Sequence, residues 1–185
     1  MPPDASDTKR RILAAARDEF SMYGLAGARI DRIAEKADAN KRSIYVHFGP
    51  KEILFAVVIE QTLTDLEANV PFDAGDLPGY AGRMFDYLIV HQHVGRIQIW
   101  AQLENAPTTV AETASYGRKV AALTAAGDAD AVDTLALTIA AVGSWLLASP
   151  ALRAQAADPE FSQRRLAQVR RNLVAAVERI RTRRA

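Results

Sequence analysis

The sequence predicts an all-α fold of about nine helices, on three observations. Apolar residues recur at spacings of three and four along almost the whole chain, the repeat of one helical face. That repeat is interrupted at Gly24, Gly49-Pro50, Gly95, Pro107, Gly127 and Pro150, where turns and helix ends are expected. No segment carries a competing strand pattern, and the abundance of alanine favours helix.

Taken in order, the first helix can be capped by Ser6 or Asp7 and runs to about Tyr23, with Ile12, Ala16 and Phe20 on one face and Leu13 beside them. Gly24 ends it. A short second helix places Ile30, Ile33, Ala34 and Ala37 on one side. Asp38 and Ala39 break that pattern, and Asn40 can cap a third helix that closes at Phe48-Gly49-Pro50. Proline is tolerated in a first helical turn, so a fourth helix is expected from Pro50 to about Asn69, its apolar surface built from Ile53, Leu54, Val57, Val58 and Leu66. The stretch VPFDAGDLP, residues 70–78, reads as a loop. Further helices are expected at about 79–94, 96–105, 109–126, 130–148 and 159–183. The division this implies is a domain at 1–49 and a larger helical domain at 50–185, with residues 50–69 as connector.

The second and third helices, joined by a turn of three or four residues, have the layout of a helix-turn-helix, whose second helix enters the major groove of DNA. With Ile44 and Phe48 facing a core, the third helix leaves Asn40, Lys41, Arg42, Ser43, Tyr45 and His47 outward, each able to donate a hydrogen bond. Lys and Arg suit guanine O6 and N7 or phosphates, Asn suits adenine, and Ser and Tyr commonly bind phosphate oxygens. An ordinary solvated helix has the same spacing.

The run Ile12 to Ala16, Phe20, Gly24, Ile33-Ala34, Ala37, Ile44-Tyr45, His47-Phe48, Lys51-Glu52 and Leu54 resembles the N-terminal DNA-binding domain of the TetR family of transcriptional regulators. The resemblance covers about the first third of the chain. It implies an all-helical homodimer that binds a double-stranded DNA operator, and a divergent C-terminal domain that binds a small-molecule inducer. It assigns Lys41 and Arg42 to base edges, and Tyr45, His47 and Lys51 to phosphates. There are three departures from the family pattern. Arg29 replaces the usual Ser or Thr cap of the second helix, which loses a bond worth about 1 kcal/mol but can reach a phosphate by charge. Asp38-Ala39 stands where Gly-Val is usual; Asp tolerates the left-handed conformation. Arg42 occupies an often small position, so no operator sequence can be borrowed from relatives.

The 185 residues are enough for one domain or two small ones, and the composition is that of a soluble globular chain, 49% apolar and 24% charged. With no cysteine there is no disulfide framework, which fits a cytoplasmic setting. The polar N-terminus has no secretory core, and the uncharged stretch from Thr134 to Ser149, ahead of Pro150, is too short to span a bilayer, so no membrane association is expected. Net charge is +1 but unevenly spread: residues 1–55 carry ten Lys or Arg against eight acids, 56–149 four against eleven, and 150–185 nine against three. The arginines at 164, 165, 170, 171, 179, 181, 183 and 184 read as a solvated helix face, with a second DNA contact as the alternative.

Two other groups of residues are expected to matter. Leu166, Val169, Leu173 and Val177, with the small residues Ala136, Ala140 and Gly143, suggest a dimer surface built from the last two long helices; burial inside one subunit would give the same stripes. Tyr87 and His91, Trp100 and Glu104, Tyr116 and Trp145 mix aromatic and polar groups as an effector pocket does, and equally as a core does. His91 and His93 would point to different helix faces, and no third ligand is near, so no metal or other cofactor is expected. Ser144 and Ser115 lack the strand-turn-helix context of a nucleophile, and no phosphate-binding glycine loop is present. The expected function is therefore not enzymatic but regulatory: sequence-specific DNA binding, repression by family default, and release by a small molecule. The alternatives are a regulator without a ligand and a helical interaction protein.

Overall fold

In the computed structural model, which describes residues 5–182, ten helices and no strand are found among the described residues. They are α1 (Ala5–Gly27), α2 (Ile30–Lys36), α3 (Lys41–Phe48), α4 (Lys51–Asn69), α5 (Leu77–Val90), α6 (Gln92–Leu103), α7 (Val110–Ala125), α8 (Ala131–Leu147), α9 (Pro150–Arg153) and α10 (Gln163–Thr182). The one unexpected helix is the single turn α9, started by the Ser149 side chain, which accepts the Ala151 N–H, and by Pro150. Arg183 and Arg184, at the end of the expected basic face, lie outside the described residues.

The chain forms two units: residues 1–66 with 91–112, and residues 67–90 with 113–185. A boundary at residue 49 misses this, because most of α4 and all of α6 share a core with the first three helices. Phe20, Ile12, Ile33, Ile44, Leu54 and Ile97 are fully or almost fully buried there, and Phe20 packs on Phe55 with ring centroids 4.9 Å apart. Burying each such side chain contributes about 1.5–3 kcal/mol. The face that α4 buries runs through Leu54, Phe55, Val58, Ile59, Thr62 and Leu63; Ile53, expected inside, is exposed.

Helix α1 breaks at Gly24, where φ is 66° and ψ −175°, and a further turn follows to Gly27. The side chains of α6 fill the space beside that break. Glu104 accepts the N–H groups of Leu25 at 2.8 Å and Ala26 at 3.1 Å, which the break leaves without helical partners. In the second unit, α10 packs against α5 and α8, with Leu173 and Val177 buried. Arg170 binds Asp86 there, at 2.8 Å. Among the described residues no helix is long and apolar enough to cross a membrane.

Candidate nucleic-acid interface

Helix α2 has only seven residues, too few to hold its place by its own hydrogen bonds. Side chains of α1 hold it at both ends. Its cap position, Arg29, has extended backbone and offers no side-chain bond, as the sequence implied. The buried Glu19 fixes that position from α1 by other bonds: its carboxylate accepts the Arg29 N–H at 2.9 Å and the Arg32 Nε–H at 2.7 Å. Arg32 also donates to the Gly27 carbonyl and lies 4.2 Å from the Tyr23 ring, and its bond to Glu19 raises its proton affinity further.

At the other end, Arg11 donates to the carbonyls of Ala37 at 2.5 Å and Asp38 at 3.0 Å. These are the carbonyls that the end of α2 leaves open. Lys36 completes the grip by pairing with Asp18 at 2.8 Å. Burial alone would raise the Asp18 pKa, but the bonds and charges of Lys36 and Arg17 outweigh it and hold the carboxyl below its ordinary value. Asp38 takes a φ of 46°, the left-handed conformation expected of it. Arg11, near the start of α1, thus organises the turn.

Asn40 caps α3 as expected, its side-chain oxygen accepting the Ser43 N–H at 2.7 Å and the Ser43 hydroxyl at 3.0 Å. Both residues therefore shape the helix start. Ile44 is buried and Phe48 packs against the core cluster, which turns Lys41, Arg42, Tyr45 and Val46 outward. His47 is half-buried, its ring edge-on to Phe48. Val46, 72% exposed, is an outward residue whose side chain offers no hydrogen-bond donor. Gly49, at φ 75°, then ends the helix.

Two of the expected DNA-binding cations are engaged within the protein. Lys41 pairs with Asp31 of α2 at 2.7 Å, and that bond lowers the Asp31 pKa against a small opposing effect of burial. Lys51, expected at a phosphate, donates to the Ala28 carbonyl at 3.1 Å and so ties the start of α4 to the end of α1. Arg29 and Arg42 are exposed.

The six residues grouped as an effector pocket are divided between the units. Trp100 and Glu104 belong to the first, packed at the α1 break, so they serve as framework there. His91 does not share a helix with Tyr87: α5 ends at Val90 and His91 stands at the N-cap position of α6, with no side-chain bond to it. The break also corrects the orientation of the two histidines, whose rings come within 5.9 Å. Burial, then the nearby Arg17 and His91, lower the His93 pKa. No group of three or more ligands that could hold a metal is found among the described residues. In the second unit, the Tyr116 ring lies 5.5 Å from the Lys119 ammonium, and Trp145 donates to the Glu160 carbonyl while Arg165 stacks on its indole at 4.5 Å.

The dimer candidates separate by exposure. Leu173 and Val177 are core residues of their own unit, and Leu166 and Val169 are half-buried. Ala136 and Ala140 are exposed and Gly143 is half-buried; with the exposed Val132 and Leu147 they line one side of α8. The basic face of α10 is likewise only partly solvated, since Arg165 and Arg170 are held by Trp145 and Asp86.

Residues 12–58 match the family model described as bacterial regulatory proteins, tetR family, and residues 76–179 that described as tetracyclin repressor-like, C-terminal domain. The HTH-type transcriptional repressor SCO4008 of Streptomyces coelicolor is 37% identical over 160 residues, which are 81% of this chain and 83% of that protein. The crystal structure of SCO4942 from Streptomyces coelicolor has a TM-score of 0.81 at 38% identity, covering 94% of this chain and 97% of that one. A TetR variant from Acinetobacter baumannii, crystallised in complex with minocycline, shares the fold at a TM-score of 0.63 and 19% identity, over 94% of this chain and 96% of that one.

Proposed function

The chain belongs to the TetR family of bacterial transcriptional regulators, and we propose that it is a repressor that reads its operator with α3 and leaves it when a small molecule binds the second unit. The observation that carries the DNA reading is the outward face of α3, where Lys41, Arg42 and Tyr45 stand exposed on a helix fixed from below by Ile44 and Phe48. Lys41 and Arg42 supply donors for base edges, and Tyr45, His47 and Arg29 donors for phosphates. Lys51 can reach a phosphate only with the protons left over from Ala28.

The α8 stripe of the exposed Val132, Ala136, Ala140 and Leu147 with the half-buried Gly143 supports a homodimer, since small residues let a second helix approach closely. A two-fold dimer presents two copies of α3 to half-sites about one helical turn apart. Helix α4 runs unbroken from residues of the first unit into the second, past the boundary at Leu66. An effector therefore lowers DNA affinity by binding one arrangement of that helix better than another, and only by that difference. The reading places the protein where its DNA is, in the cytoplasm.

The test is fluorescence anisotropy on the DNA upstream of its own gene, against scrambled DNA, across a salt series. Preference by about a thousandfold or more, falling steeply with salt, is expected. Equal, weak binding to both, together with no enrichment from a random-sequence library, would overturn it.

A further inference from the structure

We propose that Val46 is a specificity-determining residue, which recognises the C5-methyl group of a thymine in each operator half-site. The inference rests on the reading of α3 as the groove-entering helix and goes beyond it by naming a base. Val46 lies two residues from Ile44 and two from Phe48, the pair that seats α3 on the core. At 3.6 residues per turn it points about 160° away from each of them. It is thus the outermost side chain of the helix, and 72% of it is exposed.

An isolated exposed valine on an ordinary surface needs no explanation. This one stands among Lys41, Arg42 and Tyr45, all of which can bond phosphates or polar base edges, and it alone on that face can do neither. The feature of the major groove that an isopropyl group can recognise is the thymine methyl, which cytosine lacks. As a β-branched residue on an exposed helix position, Val46 also lowers helix propensity slightly, so the fold gains nothing from it.

The helix fixes where that thymine should be. Arg42 and Val46 are four residues apart and share a face, which separates them by about 6 Å along the axis. With base pairs 3.4 Å apart, the thymine falls about two steps from the guanine that Arg42 would read.

The experiment starts from a random-sequence selection with the full-length protein to define its operator. Each thymine of that operator is then replaced singly by deoxyuridine, which removes only the methyl group, and anisotropy is measured for the wild type and Val46→Ala. The expected result is one thymine per half-site at which the wild type loses affinity about three- to fivefold, the worth of one buried methyl. Val46→Ala should bind the unmodified operator more weakly and be indifferent to deoxyuridine at that position. Alanine is the stronger helix former and the site is exposed, so the variant keeps its fold, which circular dichroism checks. Enrichment of an operator at which the wild type ignores every thymine methyl, or a methyl effect that survives in Val46→Ala, overturns the assignment of Val46 alone. Failure to enrich any sequence overturns the DNA reading, and the assignment with it.

Discussion

The indole of Trp100 lies so close to the α-carbon of Gly24 that a Cβ there would sit 2.6 Å from its ring, and 2.5 Å from the Glu104 carboxylate. The residue is also at φ 66°, ψ −175°, a region open essentially to glycine. One position thus meets two constraints, an unusual backbone and a neighbouring helix pressed against it. The break in α1 and the seat of α6 depend on each other.

Gly24→Ala should therefore destabilise the protein by about 2–6 kcal/mol, from roughly 1–3 for the backbone and roughly 1–3 for the crowding. Urea unfolding would show a lower midpoint with an unchanged slope. A midpoint equal to wild type would mean that α6 can move aside freely, against the packing described.

Asp31 pairs with Lys41, the lysine proposed for a base edge. The pair is exposed on the side of α3 assigned to DNA, and the carboxylate itself repels phosphates. Asp31→Asn should tighten binding to scrambled DNA by several-fold at low salt and less at high salt, through the charge it removes, and binding to the operator by more, because it also frees Lys41 for a base edge. Anisotropy on both DNAs measures this. An equal gain on both DNAs would make Lys41 a phosphate contact and not a base reader.

The helix-turn-helix was legible because its signals are local: the buried face of α2, the Asn40 cap and the Asp38 turn all lie within a few residues of each other. What escaped was long-range and polar. Glu19 fixes the start of a helix ten residues away and Arg11 closes one 26 residues away, and neither spacing has a sequence signature. Glu104 reaches Leu25 across 79 residues, so its placement with the pocket residues followed the helix period alone. Leu173 and Val177 show the same limit, since a heptad-like stripe does not say which helix covers it. Val46 escapes for a different reason: the outward face of α3 is recognisable by its hydrogen-bond donors, and an isopropyl group is not one.

Arg11 provides a test of how the turn is held. Its guanidinium serves two carbonyls at the end of α2, and bonds from a charged donor contribute about 1.5–3 kcal/mol. Arg11→Ala should lower stability by about that amount and weaken operator binding more than binding to scrambled DNA, because α3 loses its fixed angle while the phosphate-binding cations remain. Equal weakening on both DNAs would make Arg11 a phosphate contact and not an organiser of the turn.

The last prediction concerns acid. At the end of α4, Glu67 accepts bonds from the Ser115 hydroxyl, from Lys119 at 2.8 Å and from Arg118 at 3.1 Å, and Lys119 and Ser115 are buried. Burial by itself would raise the Glu67 pKa; the bonds from Lys119 and Ser115, then the charges of Lys119 and Arg118, outweigh it and bring the value below its ordinary 4.5. A depressed pKa in the folded state means that the unfolded chain takes up the proton first as pH falls. The stabilisation is then fully present above 4.5 and is lost as pH drops through the folded value. Glu67→Gln removes the titration and leaves Lys119 without its counter-charge. Wild type should be the more stable at neutral pH, and the gap should narrow steadily below 4.5. Urea unfolding at steps between about pH 6 and about pH 3 follows it. A gap that stays constant across that range would show that Glu67 acts there through its shape and not its charge.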